Sequence, residues 1–139
     1  MKIHKPPLVI SRFIIGGILL ISGLAKVSIA EDFALSVSHY GLGPDVLAYA
    51  YGYALPFIEI ILGILFFIGK RLKLVSIVAM PVVTTFVVAN IVDLMRAGDK
   101  CLTCFGDWVH LLPGIALGID ILMLGLALLL FFKADSAPR

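Results

Sequence analysis

Four long apolar runs, Leu8 to Val27, Tyr49 to Ile68, Leu72 to Met95 and Leu111 to Phe132, take up most of this 139-residue chain. Each is close to the ~20 residues that a helix needs to cross ~30 Å of hydrocarbon. A backbone in lipid must satisfy its own hydrogen bonds, so such runs are helices or strands of a closed barrel, and the alternation that a barrel strand requires is absent. The fold class expected is therefore an all-α membrane protein, a bundle of four transmembrane helices. The four runs and their short connectors leave no length for a soluble unit, so residues 1–139 read as a single integral membrane domain. Composition agrees: 61% of residues are hydrophobic and only 14% charged, where a soluble domain carries about a quarter. A net charge of +2, with no basic run beyond Lys70, Arg71 and Lys73, argues against a nucleic-acid partner.

The basic residues report topology. Lys2, Lys5, Arg12, Lys70, Arg71, Lys73, Lys133 and Arg139 fall on one side of the expected bundle, while Lys26, Arg96 and Lys100 fall on the other. An excess of Lys and Arg marks the cytoplasmic side, which puts both termini in the cytoplasm and the first and third connectors outside. In a bacterial inner membrane the outside is the oxidising compartment where disulfides persist. The first run also admits a second reading: a basic start, an apolar stretch from Phe13 to Ala25 and the small-residue sequence Ser28-Ile29-Ala30 have the form of a cleaved signal peptide. Either reading leaves the third connector outside.

The first connector carries local signals. Ser28 followed by Glu31 has the form of a capping box, and Phe33, Val37 and Tyr40 recur at helical spacing before Gly41. A short amphipathic helix on the outer surface is expected there, between spans one and two. Tyr40, Tyr49, Tyr51, Tyr53 and Trp108 map to the same side. An aromatic belt at the membrane interface explains them more simply than a ligand box. Gly16 and Gly23 share a face of the first run, and Gly114, Gly118 and Gly125 form a stripe on the fourth, both suited to close helix approach.

Both cysteines of the chain lie in the third connector, in the stretch Lys100-Cys101-Leu102-Thr103-Cys104-Phe105-Gly106-Asp107-Trp108-Val109-His110. In a Cys-x-x-Cys the sulfurs close a small, easily opened ring, and thiolates in such motifs commonly have a lowered pKa that speeds exchange. Lys100 and His110 are placed to stabilise a thiolate. Three readings stay open: a redox-active pair, a structural disulfide and a metal half-site. So small a loop constrains little of the unfolded chain, which weakens the second, and His110 alone cannot complete a ligand set, which weakens the third.

Intramembrane charge is costly unless paired or functional. Glu59 lies near the middle of the second run on a face with Pro56 and Gly63, and Lys26, on the Gly16/Gly23 face of the first run, is the partner that geometry favours. Asp120 lies near the middle of the fourth run, away from the glycine stripe, and is expected to be protonated in place. For Glu59 and Asp120, a buried bond that fixes helix register and a role in proton transfer are both open. Asp93 and Arg96 read as an i, i+3 surface pair, with Asn90 on the same face.

Three segments in order, "SGLAK" (Ser22 to Lys26), "LPFIEIILG" (Leu55 to Gly63) and "CLTCFG" (Cys101 to Gly106), resemble the MauE branch of the DoxX-like membrane proteins. The resemblance covers nearly the whole chain, and its most specific element is the Cys-Phe-Gly ending. It implies a four-helix membrane protein of the redox-associated type, linked to methylamine utilisation and to maturation of a disulfide-rich periplasmic dehydrogenase subunit alongside a thioredoxin-like partner. DoxX relatives imply a quinone as the cofactor. By position the functional pair falls on Cys101 and Cys104 and the buried acid on Glu59. The family pattern is often C-x-C-F-G, whereas two residues separate the cysteines here, a spacing more usual for reversible exchange. In architecture the chain also resembles, more loosely, the vitamin K epoxide reductase type, but those enzymes relay electrons through a second cysteine pair that this chain lacks.

The resulting expectation is a membrane thiol-disulfide protein in which Cys101 and Cys104 exchange with a periplasmic thioredoxin-like protein or disulfide-containing client, coupled to a quinone between the outer halves of the helices. The alternatives are a non-catalytic accessory subunit with a structural disulfide and, more distantly, a transporter resting on Glu59 and Asp120. The charge count supplies the first test. After reduction, a membrane-impermeant maleimide added to intact spheroplasts should modify Cys101 and Cys104; modification confined to inverted vesicles would overturn the orientation.

Overall fold

The structure, a computed structural model, describes residues 6–39, 41, 43–95 and 113–135. Cys101, Cys104, Lys100, His110, Trp108, Tyr40 and Arg96, singled out above, lie outside the described residues. Five helices follow one another: α1 (Pro6–Val27), α2 (Ala30–Ser38), α3 (Asp45–Ile68), α4 (Leu72–Met95) and α5 (Pro113–Asp135). Four of them, α1, α3, α4 and α5, are long and apolar enough to cross a membrane. They match the four apolar runs, except that α3 begins at Asp45 rather than near Tyr49. Pro44 and Asp45 suit a helix start for reasons of backbone φ and helix dipole, which hydrophobicity does not register.

Helix α1 buries Leu8, Ser11, Ile15, Leu19, Ser22 and Lys26, a stripe at three- and four-residue spacing. That stripe and its flank lie against α3, and glycine sets the separation. A Cβ at Gly23 would stand 2.8 Å from the Pro56 carbonyl oxygen, and one at Gly63 would stand 2.9 Å from the Gly16 carbonyl oxygen and 2.7 Å from Leu20 Cγ. Both contacts are closer than a side chain tolerates, so the two backbones meet directly, as small residues permit in lipid where no hydrophobic force drives helices together. The second pair is α4 and α5, with Ala79, Val83 and Phe86 buried on one and Ala116, Asp120, Met123, Ala127 and Leu130 on the other. Helix α1 also touches α5, while α3 and α4 meet only sparingly.

The turn between α3 and α4 is built on Gly69, which ends α3 in the left-handed conformation at φ 75° and donates its N–H to the Leu65 carbonyl. A Cβ there would also collide with the Arg12 guanidinium. Glycine is required by the left-handed backbone; the guanidinium, at the end of a flexible side chain, moves aside at little cost.

One local expectation is corrected. The capping box does not form: α2 starts after Ile29 with no side-chain cap, and Ser28 Oγ instead donates to the Ala25 carbonyl at 3.2 Å. Only two residues separate α1 from α2, so Ser28 is claimed by the frayed end of α1 rather than by the new helix. The short amphipathic helix expected between spans one and two is present as α2, and its apolar face packs on the bundle. It buries Ala30, Phe33 and Ala34, and a Cβ at Gly52 of α3 would come 2.9 Å from Val37 Cβ.

The Gly114, Gly118 and Gly125 stripe plays no part in packing among the described residues: all three are exposed, and a Cβ at any of them would meet nothing within 4 Å. Asp120 explains why. A buried acid on the opposite side of α5 turns the glycines outward. Gly63→Leu should accordingly cost about 1–3 kcal/mol of stability, the scale of overpacking against an unyielding backbone, whereas Gly118→Leu should leave the melting temperature nearly unchanged; equal effects in a thermal melt would refute this packing.

Candidate functional site

Polar groups inside the bundle gather around the C-terminal end of α1, where α3, α4 and α5 each contribute one. Lys26 is the penultimate residue of α1, yet it is fully buried, because α3 continues past it and α2 folds back with Phe33 over it. Lys26 Nζ donates to Glu59 Oε1 at 2.9 Å and to Ser22 Oγ at 2.8 Å, and Ser22 Oγ donates to the same carboxylate oxygen at 3.0 Å. Lys26 and Ser22 lie four residues apart on one face of α1. The remaining sides of the ammonium face aromatic rings, with Nζ 4.4 Å from the Phe86 centroid and 5.2 Å from the Phe33 centroid. The Lys26 partner expected for Glu59 is thus in place, but the stem does not reach in from the surface; the whole residue is inside.

Glu59 Oε2 is buried without a hydrogen-bond partner among the described residues. Asp120 is held by Asn90 of α4, whose side-chain amide donates to Asp120 Oδ2. Asn90 is completely buried, and the Asp93–Arg96 pair expected on its face falls on side chains outside the described ones. A cavity of about 10 Å³ touches Ser22, Lys26 and Asp120 together with Phe86 and Met123, room for about one water molecule. Lys26 and Asp120 therefore border one small cavity, Glu59 joining them through its bond to Lys26 and Asn90 through its bond to Asp120.

A larger cavity, of about 350 Å³, lies between α2, α3 and α4, where α3 and α4 splay apart. It runs from the exposed Pro44 and Leu47 inward to the buried Leu55, Phe33 and Phe86. Phe33 and Phe86 have Lys26 behind them, so two aromatic rings separate this cavity from the ion pair. Among the described residues its polar side chains are a hydroxyl pair, Tyr51 Oη and Thr85 Oγ1, 2.8 Å apart.

The tyrosines consequently part company. Tyr49 and Tyr53 stack on one side of α3, with Tyr53 exposed, as an interfacial belt would have them. Tyr51 points the other way, into the bundle. Phe33 carries only the sequence signal of an apolar helix face, and Thr85 and Phe86 carry none that separates them from other spanning residues. Tyr51 had one: it alternates with Tyr49 and Tyr53 and so must lie on a different side of a helix.

The helices and their buried charges define a multi-pass membrane protein organised around an intramembrane ion pair. A family model described as methylamine utilisation protein MauE matches residues 5–133, and the chain belongs to that family. No curated protein and no solved structure matches the chain.

If Lys26 and Glu59 act as a unit, the two single substitutions should be strongly non-additive. Lys26→Met and Glu59→Gln each leave one buried charge uncompensated and should cost about 3–5 kcal/mol. The double variant should cost well under their sum in the same unfolding measurement in mixed micelles. Additive losses would show that the pair is not energetically coupled.

Proposed function

We propose that this member of the MauE family is a membrane thiol-disulfide exchange protein that serves maturation of periplasmic proteins, with Cys101 and Cys104 as the exchanging pair. The observation that carries this reading is the coincidence of family membership over residues 5–133 with a Cys-x-x-Cys in the connector between α4 and α5. Both helices entering that connector are tied together near it by Asn90 and Asp120, so the motif is carried by a braced pair. A fixed mount of this kind favours presentation of a reactive loop to a partner.

In the exchange, a thiolate of the dithiol attacks one sulfur of the partner's disulfide, giving a mixed disulfide and releasing the partner's other thiolate. The second cysteine then displaces the first partner sulfur, so the pair ends as a disulfide and the partner as a dithiol, with two electrons and two protons transferred. Lys100 and His110 stabilise the attacking thiolate, while Lys26 and Glu59 hold α1 against α3 and so keep the bundle in register. The partner class is a periplasmic thioredoxin-like protein or a disulfide-bearing client. Because the chain has two cysteines in all, no internal relay to a second pair exists. Returning the pair to the dithiol requires two electrons and two protons, from a second partner or from a reduced lipid-soluble carrier, for which a hydroquinone that leaves as the quinone is the natural class.

Trapping separates exchange from a purely structural disulfide. Cys104→Ser should accumulate a reducible adduct with a thioredoxin-like protein, since the resolving thiol is gone, and Cys101→Ser should not. Absence of an adduct in both variants, with function in cells retained, would favour a non-catalytic accessory subunit.

A further inference from the structure

We propose that the cavity between α2, α3 and α4 is the binding site of a quinone ring, with the Tyr51 hydroxyl as its hydrogen-bonding partner. This deepens the exchange reading by giving its lipid-soluble electron carrier a place, and it rests on that reading only for the carrier's purpose, not for its binding. At about 350 Å³ the cavity is at the lower end of the ~300–1,000 Å³ that small-molecule sites occupy, which suits a single substituted ring whose tail leaves past the exposed Pro44 and Leu47.

The lining selects the chemistry. Among the described residues no charged side chain lines the cavity, and the Lys26 ammonium behind its inner wall is neutralised by Glu59 and screened by Phe33 and Phe86. A charged ligand would be desolvated there without compensation, so the occupant is neutral. Phe33, Phe86 and Tyr51 offer ring surfaces to a flat molecule.

The hydroxyl pair supplies the specificity. Thr85 Oγ1 donates to the Val82 carbonyl at 2.6 Å, which uses its only proton, so Tyr51 must be the donor in the 2.8 Å contact with Thr85. The phenol oxygen then keeps its acceptor capacity and can receive the O–H of a hydroquinone. If the Tyr51 O–H swings away from Thr85, it can donate to a quinone carbonyl instead. A hydroxyl that both accepts and donates matches the two forms of a quinone/hydroquinone couple, a property wasted on an acyl chain.

The test uses the full chain in lipid nanodiscs and a short-chain prenylated benzoquinone, with equilibrium binding and the ligand-induced rise in melting temperature as readouts. Wild type should bind at one saturable site. Tyr51→Phe should weaken binding by about two- to tenfold, the loss of one hydrogen bond. Ala48→Phe, at a half-buried lining position, should fill the mouth and weaken it more than tenfold while the ligand-free protein melts normally. The Cys101→Ser/Cys104→Ser double variant should bind as wild type does, so that failure of the exchange reading leaves this result standing. Non-saturable uptake by wild type, or wild-type affinity in Ala48→Phe, would overturn the site. Weakening by Ala48→Phe but not by Tyr51→Phe would identify an acyl-chain groove and refute the quinone assignment.

Discussion

A lysine ammonium and a glutamate carboxylate, 2.9 Å apart and wholly buried, set the terms on which the bundle can assemble. In hydrocarbon neither charge is tolerable alone, so α1 and α3 are acceptable only in the register that brings Lys26 and Glu59 together. Such a pair adds little net stability compared with apolar residues of the same volume, because desolvation offsets most of the attraction. Its effect is selective: other registers of the same two helices leave a charge exposed to lipid. The glycine contacts at Gly16, Gly23 and Gly63 work in the same direction, since the backbones approach closely only where the small residues face one another.

Several other features follow from burying Lys26. Helix α2 must return over the end of α1, because the lysine would otherwise be open on that side, and Phe33 is the residue that closes it. Phe86 closes the opposite approach. These two rings are at once the lid of the ion pair and the inner wall of the 350 Å³ cavity, so the polar core and the apolar site are back to back. The chain thereby keeps two incompatible environments within one narrow bundle.

Asp120 and Asn90 add a second polar contact at the same depth, and it is this contact that fixes the rotation of α5. Its glycine stripe illustrates how pattern alone can mislead. Gly114, Gly118 and Gly125 have the spacing of a helix-contact motif, but the cost of exposing a carboxyl to lipid exceeds what close glycine packing offers, and the acid takes the interior. The capping box failed for a different reason: its Ser28 is so near the end of α1 that a carbonyl of the preceding helix competes for the hydroxyl.

The amino-acid sequence by itself determined the number and extent of the spans, because lipid leaves the backbone no alternative to helix over ~20 apolar residues. It also determined the Lys26–Glu59 partnership, since one buried acid and one cation on small-residue faces leave few other matches, and it placed both cysteines in the connector that follows α4. Tertiary structure decided the rest. That the apolar face of α2 closes over Lys26, that Tyr51 faces inward while Tyr49 and Tyr53 face out, and that Thr85 and Phe86 become lining residues all depend on which helices stand next to which. In a chain that is apolar almost all round each helix, hydrophobic periodicity cannot distinguish a lipid-facing side from a protein-facing one; only the packed neighbours, chosen by close contact and by the few buried polar groups, make that distinction.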